Sequence, residues 1–483
     1  MIAVELISLV QDVISKHCEM QNVELKAGEK GCPKLYDTIS AFANQSNGGI
    51  IILGVDQDDD YRICGVYDPQ DIQVKITEQA NQMSPVVRPL FTVAEYDGKI
   101  VVAAEIAECD LFSKPCFYKG AGIVRGSYIR VGDADLHMTE YEIYSYEAFR
   151  KKQNDELRSI ERAGIETLDN AAIEVYKINI RSQKQNLAGL PDNQIYELQG
   201  VLNSGTATLT GLLLFGIYPQ AFLPQLCITA VVIPGIKMGE TGTDGERFID
   251  NKKIEGRIPQ MLDEALAFVQ RNIKNTTIIK DDGGRYDKVE YPLKAIRELI
   301  LNALVHRDYS IFTETSPVRI MIFRDRIEIE SPGGLYGRLT IDSLGKVGGD
   351  TRNPYIAGAM EVLMKTENRF SGIPTVRLEM QKHGLPAPKF ENLRGAFKVT
   401  LYNNTENPAP DVAEVGWDDP TQRIVDFCAI ARTRKELSAQ FGFASSSYFI
   451  KRYVTPLVDK NILRLTNPES PKSKNQKYVA EKK

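Results

Sequence analysis

The run Ile50–Val55 (IIILGV) limits the possible folds of this 483-residue chain more than any other stretch. Six consecutive positions without a polar side chain cannot offer a wet face, so the run reads as a strand covered on both sides. An Asn/Gly-rich turn, QSNGG, precedes it, and Asp56 lies just past its end. Upstream, Val23 and Leu25 alternate with Glu24 and Lys26, and a strand there puts Glu24 and Lys26 on one face. Glu19 stands five residues before Glu24, where a helix over residues 1–16, marked by its apolar spacing, would have ended. Carboxylates and a lysine converging at strand ends are equipment for holding Mg2+ or Mn2+ against a phosphate. The same groups also suit the solvated polar face of a nucleic-acid-binding domain.

The pattern E-x4-E-x-K, followed by TISAFANQSNGG and IIILGVD, resembles the Schlafen/AlbA-type DNA-binding domain, over residues 1–155. The resemblance implies a nucleic-acid surface. In those relatives that are metal-dependent RNA endonucleases it implies three metal-holding carboxylates. Carried over by spacing, Glu19 and Glu24 would be the first two ligands of Mg2+ or Mn2+ and Asp56 the third, with Lys26 steadying the phosphate. The acidic run Asp58, Asp59, Asp60 competes with Asp56 for that third place.

A chain this long, 43% hydrophobic and 25% charged, is too large for one core and is expected to divide into three or four domains. Its seven cysteines are scattered without a C-x2-C pair, which suggests neither a zinc site nor a disulfide framework. No signal-peptide pattern and no bilayer-length apolar run is read, so a cytoplasmic protein without membrane partners is expected. The net charge of −5 hides an asymmetry, because residues 421–483 hold 13 Lys and Arg against 5 Asp and Glu. A basic module on an acidic body points to local phosphate affinity.

Past the opening motif, FTVAEYDGKIVVAAEIAE reads as a hairpin turning at Asp-Gly. The Gly-punctuated segment GAGIVRGSYIRVGDADLHMT places Arg125, Tyr128 and Arg130 on one strand region. Arg/aromatic neighbours there suit phosphates and bases, or simply an exposed strand face. A polar helix over roughly 139–163 leads out of the domain. Residues 156–284 form a connecting α+β region with buried strands at Thr210–Gly216 and Leu226–Ile233, a Gly-rich loop at Gly235–Gly245, and a helix near 255–275. No G-x4-GK[ST] phosphate cradle occurs, so a P-loop helicase is excluded.

Residues 285–403 are the second informative block. YPLKAIRELILNALVHRDYS is an amphipathic helix begun near Pro292, with Glu298, Asn302 and His306 on one face. The strand pair VRIMIF and DRIEIES and the turn SPGGL follow. Glu and Asn one turn apart, facing a Gly-rich loop, suit a Mg2+–nucleotide site. The E-x3-N helix, HRDYS, IEIESPGGL, the RNP string at 352–354, and FSGIP with GLPAPKFENLRGAFKVTL resemble the GHKL-type ATP-binding fold. More closely, they resemble its branch found after Schlafen/AlbA domains and labelled a helicase C-terminal region. The resemblance implies ATP or ADP with Mg2+ held by Glu298, Asn302, His306, Ser331, Gly333, Gly334 and Gly372. Asn302 is an expected metal ligand, and Ser331 stands where the family has its adenine-reading Asp.

Residues 404–420 read as a Pro-rich acidic linker. Residues 421–483 run helix, Thr433-capped helix, Gly442 turn, Ser-started helix, strand and Lys-rich tail, an order that resembles a winged helix-turn-helix. That resemblance would put Ser446 and Tyr448 on DNA bases, Lys451 and Arg452 on phosphates, and Lys472 and Lys474 in the wing. The expected fold class is therefore α+β multidomain: a Schlafen/AlbA-like α+β domain, a GHKL-like α/β sandwich and a C-terminal winged helix-turn-helix. The leading expectation is a nucleotide-responsive DNA-binding regulator that forms a homo-oligomer and contacts duplex DNA. The competing one is a metal-dependent endonuclease on RNA or single-stranded DNA, in phage defence.

Overall fold

The computed structural model describes residues 1–279, 285–346, 348–364, 372–403, 424–425, 427–440, 450, 454–459, 462–467 and 476–480. The chain forms two compact units, Met1–Glu406 and Asn407–Lys483.

Within the first unit, the apolar run becomes the strand Gly49–Leu53 at the centre of a four-stranded sheet. Val23–Lys26 lies parallel on one side of it, with Glu24 opposite Ile51. Lys99–Ile106 runs antiparallel on the other side, and Leu90–Tyr96 closes the edge. The last two strands are the Asp-Gly hairpin, and Asp97 at φ 51° and Gly98 at φ 68° supply the positive angles of a type I′ turn. Alternation explains the absence of polar residues in the run. Ile51 and Leu53 pack with the helices Tyr36–Asn44 and Pro69–Asn81, while Ile52 and Val55 pack with the helix Ala3–Lys16 on the opposite face.

A larger sheet has six strands, in the order Asp250–Ile254, Ile228–Val232, Val318–Ile322, Arg326–Pro332, Ala396–Tyr402, Lys389–Leu393. Ile228–Val232 pairs in parallel with Val318–Ile322, and Ile228 stands opposite Val318. The connecting region and the second informative block therefore share one sheet and one core. The helices Ile258–Asn272, Leu293–Val305 and Gly372–Lys382 contribute their apolar faces to that core.

Three sequence expectations give way here. Thr210–Gly216 is not a strand: Leu209–Phe215 is a helix, capped by the Thr208 hydroxyl, which accepts from the Gly211 N–H at 3.0 Å. All seven of its residues are buried, so no periodicity marks it as helical. The polar helix ends at Lys151, because Lys152 turns left-handed at φ 51°, and Ser159–Gly164 is a strand. Arg125 is not on a strand with Tyr128 and Arg130; it ends the short helix Gly122–Gly126 and is exposed.

In the second unit the helix Arg434–Gln440 is capped as expected, the Thr433 hydroxyl accepting from the Glu436 N–H at 3.3 Å while the Glu436 carboxylate accepts from the Thr433 N–H at 2.7 Å. Arg432–Thr433, Lys477–Ala480 and Leu463–Leu465 form a three-stranded sheet over Ile424, Leu437, Val454 and Leu457. Ser446, Tyr448, Lys451, Arg452, Lys472 and Lys474 lie outside the described residues. Among the described residues no helix is long and apolar enough to cross a membrane.

Candidate nucleotide site

The Leu293–Val305 helix starts at Pro292, whose fixed φ suits a helix start, and buries Ile296, Leu299, Ile300 and Ala303 against the large sheet. Its other face carries Glu298, Asn302 and, at its end, His306, which open into a cavity of about 470 Å³. Ser331, Gly333 and Gly334 line the same cavity from the end of Arg326–Pro332, and Gly372 lines it from the start of the Gly372–Lys382 helix. All seven residues expected at a nucleotide site thus surround one space. Leu299, Ile329 and Val399 give it an apolar wall, a common mix for small-molecule sites.

The polar groups are specifically arranged. The Asn302 amide donates to a Glu298 carboxylate oxygen at 3.2 Å, which leaves the Asn302 carbonyl oxygen free of that bond. Burial raises the Glu298 carboxyl above its ordinary value, although the Asn302 bond works the other way. His306 stays exposed to the cavity, and partial desolvation with the neighbouring Arg352 guanidinium lowers its imidazole from the ordinary value. The Ser331 hydroxyl donates to the Ala303 carbonyl at 2.8 Å, so its proton is used within the protein.

Gly333 is required by conformation and close approach, and Gly372 leaves room beside Glu298. A Cβ at Gly333, where φ is +96°, would stand 2.3 Å from Arg352 Nη1 and 2.4 Å from Asp308 Cβ. A Cβ at Gly372 would stand 2.2 Å from Glu298 Oε1. A Cβ at Gly333 would fill part of the cradle, whereas one at Gly372 would push the Glu298 carboxylate aside.

Arg352 and Asp308 belong to the site without having been singled out from the sequence, although both lie inside quoted strings, RNP and HRDYS. Arg352 is paired with Asp308 at 3.3 Å and donates to the Gly334 carbonyl at 3.1 Å. Its guanidinium lies 5.0 Å from the Tyr336 ring centre, and its buried Nη1, beside the cavity, is held by the ion pair to Asp308 alone. Burial opposes ionisation of Asp308, but Arg352, the Ser310 N–H at 2.8 Å and the Tyr141 hydroxyl at 2.7 Å hold it below the usual carboxylate range. Asn353 donates to the Val305 and Arg307 carbonyls at 2.9 and 2.7 Å, fastening this segment to the end of the site helix. A buried guanidinium nitrogen held only by its ion pair, a glycine cradle and an Asn/Glu pair are donors and acceptors that fit a nucleotide with its cation.

The N-terminal carboxylates are arranged otherwise than expected. Glu19 and Glu24 do meet, but around Arg130, which lies 3.3 Å from Glu19, 2.7 Å from Glu24 and 3.0 Å from Asp135. Arg130 is therefore no phosphate contact, its side chain being 1% exposed. Strand alternation turns it inward, 5.4 Å from the Phe42 ring centre. Asp56 does not join this group. The short hairpin Val55–Asp56 with Arg62–Ile63 sets it opposite Arg62, to which it pairs at 3.9 Å. Lys26 bonds to Glu24, as their shared face required. Burial raises Glu19 and Asp135 above their ordinary values. A guanidinium fills the space a divalent cation would need, and among the described residues no trio of His, Cys, Asp or Glu could hold a metal ion.

Residues 19–139 match the family model of Schlafen, AlbA_2, and residues 315–401 match the model described as "Putative ATP-dependent DNA helicase recG C-terminal". Residues 419–479 match "Filamentation induced by cAMP protein Fic-like, C-terminal domain". The chain thus carries a Schlafen/AlbA_2 domain and a recG C-terminal ATPase-type domain, the make-up of a DNA-binding, ATP-binding protein. No curated protein matches the chain. Among solved structures, the DIP2311 protein from Corynebacterium diphtheriae is 19% identical, with 92% of this chain and 91% of that one covered and a TM-score of 0.40. The N-terminal domain of a RecG-related protein from Nitrosomonas europaea is 28% identical over 28% of this chain and 92% of that one, with a TM-score of 0.23.

Proposed function

We propose that the chain is a nucleotide-responsive DNA-binding protein acting as a transcriptional regulator. One observation carries this reading: Glu298, Asn302, His306, Ser331, Gly333, Gly334 and Gly372, drawn from three separate segments, surround one cavity of about 470 Å³. ATP or ADP would lie there with its base against the apolar wall. Mg2+ would be held through the Asn302 carbonyl oxygen and the nucleotide's phosphates, and Arg352 would face the anion. The bound nucleotide supplies charge and shape to which the surrounding segments respond. The GHKL kinship, with a homodimer as the working form, belongs to this proposal.

The C-terminal unit is read as a winged helix on duplex DNA, supported by its capped helix, its three-stranded sheet and its local excess of 13 basic over 5 acidic residues. Titration calorimetry of the full chain with ADP and with a non-hydrolysable ATP analogue, each with Mg2+, tests the nucleotide half. Wild type is expected to release heat and Asn302→Ala to bind at least tenfold more weakly, while silence from wild type rejects the site. A gel-shift series with duplex DNA over rising salt tests the other half. A mobility shift that fades with salt supports it, and no shift at low salt rejects it.

A further inference from the structure

We propose that the strand Leu90–Tyr96 is a self-pairing edge, to which a second copy of this chain adds its own Leu90–Tyr96, antiparallel, about a two-fold axis at Val93. This pairing would join the homodimer read above, and it rests on that reading. Leu90–Tyr96 is the last strand of its sheet and pairs with Lys99–Ile106 alone. The two-residue turn Asp97-Gly98 decides which of its backbone groups that pairing uses. Tyr96 and Lys99 flank the turn as a hydrogen-bonded pair, so Ala94, Thr92 and Leu90 bond inward at every second position. Phe91, Val93 and Glu95 point their N–H and C=O groups the other way. The neighbouring strand shows the same phase. There the Ile100 carbonyl, opposite Glu95, turns away from the hairpin partner and accepts from the Val66 N–H at 2.9 Å. Among the described residues, no backbone bond takes up the outward groups of Phe91, Val93 or Glu95.

An open edge is ordinarily blunted by a proline, a bulge, a lysine or a covering loop. The register of Leu90–Tyr96 against Lys99–Ile106 runs unbroken, and the strand contains neither proline nor a basic residue. It is also uncovered, with Leu90 68% and Val93 41% exposed.

The edge is complementary to itself. With Val93 opposite Val93 of the second copy, Phe91 stands opposite Glu95, and each of the three outward residues can exchange both its bonds. The exposed Leu90 then stands opposite Tyr96 of the second copy, and the two Val93 side chains meet at the axis. Ile2, 65% exposed, borders the same seam, because the Thr92 hydroxyl donates to the carbonyl of its neighbour Met1 at 2.7 Å. Charge selects the antiparallel sense. Arg88 stands just before the strand, and Glu95 and Asp97 stand at its far end, all three exposed. An antiparallel second copy brings the cationic end of each strand to the acidic end of the other, whereas a parallel copy sets like against like. Because both copies use the same strand, the assembly closes at two.

Sedimentation velocity of the full chain over a concentration series tests the seam. Wild type is expected to pass from monomer to dimer and no further. Val93→Pro deletes an outward N–H and spares the sheet, since Val93 and Val102 form a pair without hydrogen bonds. Val93→Lys sets two like charges together at the axis. Each is expected to raise the dimer dissociation constant about tenfold or more while far-UV circular dichroism matches wild type. Should Val93→Pro unfold the domain, Val93→Lys, which needs no backbone change, carries the test. In a Cys18→Ser background, Val93→Cys is expected to yield a covalent dimer on mild oxidation, because bonded antiparallel pairs stand about 5.5 Å apart at Cα, within the span of a disulfide. A dimer that neither substitution weakens, or that Val93→Cys does not trap, overturns the edge and leaves the homodimer reading standing. A wild type that stays monomeric overturns both and leaves the edge to a strand of another protein. Growth beyond a dimer overturns the closed pairing.

Discussion

Replacing Glu156 with Gln should make this protein more stable at alkaline pH and leave it unchanged at acid pH. Glu156 is fully buried, and its carboxylate accepts from the N–H groups of Tyr355 and Ile356 at 2.9 and 2.8 Å, at the start of the helix Pro354–Met364. These bonds and that of Thr210 favour the anion, but burial outweighs them and pushes the group up to about 7 from an ordinary 4.5. A raised folded value means the folded chain holds the proton more tightly than the unfolded one. The associated stability is complete below pH 4.5 and drains away as pH rises towards 7. At about 1.4 kcal/mol per pH unit the loss totals about 3 kcal/mol. Gln copies the protonated acid's neutrality and shape, and its single acceptor oxygen keeps one of the two N–H bonds. The two proteins should therefore match within about 1 kcal/mol at pH 4.5 and differ by about 3 kcal/mol at pH 8.5, in favour of Gln. Urea unfolding followed by far-UV circular dichroism at several pH values measures the difference. If the variant is the weaker one at pH 8.5, the two N–H bonds win over burial and the argument fails.

Three further outcomes can be checked. Arg130→Met leaves Glu19, Glu24 and Asp135 buried without their shared cation and should cost about 3–5 kcal/mol at neutral pH, read from chemical denaturation. Because Glu19 and Asp135 already sit above their ordinary values, part of that cost should be recovered near pH 5. Gly333→Ala places a Cβ against Arg352 in a positive-φ position and should abolish the calorimetric response to ADP while circular dichroism stays within a few per cent of wild type. Asn353→Ala removes two bonds of 2.9 and 2.7 Å that hold the site helix and should destabilise the first unit by about 1–3 kcal/mol, seen in thermal unfolding.

Sequence legibility here followed periodicity and local turn chemistry. The run Ile50–Val55 reveals a two-faced strand because nothing polar interrupts it, and Asp97-Gly98 reveals its hairpin because only such residues take two positive φ values cheaply. The Glu298, Asn302, His306 face was readable because helical spacing puts the three side by side. What escaped was pairing between residues far apart in the chain. Nothing near Glu19 indicates that Arg130, 111 residues later, will fill the space between it and Glu24. Nothing near Ile228 indicates a parallel partner at Val318. Leu209–Phe215 escaped because burial on every side erases the signal that separates helix from strand.

The helix Glu140–Lys151, which leaves the AlbA_2 domain, reaches the wall of the candidate nucleotide site through the Tyr141 hydroxyl and through Phe149, whose ring lies 5.3 Å from that of Tyr336. Tyr141 donates to Asp308 at 2.7 Å, and the other Asp308 oxygen accepts from the Ser310 N–H at 2.8 Å. Asp308 in turn holds Arg352 at 3.3 Å, and Arg352 borders the cavity. An anion drawn to Arg352 competes with Asp308 for the guanidinium. Asp308 then leans more on Tyr141, and by linkage any change in that bond alters anion affinity. A hydrogen bond to a charged group is worth about 1.5–3 kcal/mol, which bounds the coupling. Tyr141→Phe, which never touches the ligand, should therefore shift the ADP dissociation constant by about 3-fold to 10-fold, corresponding to about 0.7–1.4 kcal/mol. The direction is towards weaker binding, because an Asp308 stripped of Tyr141 grips Arg352 harder. Calorimetry on both proteins at one salt concentration decides it. Equal constants would mean that the exit helix and the cavity are neighbours without communication.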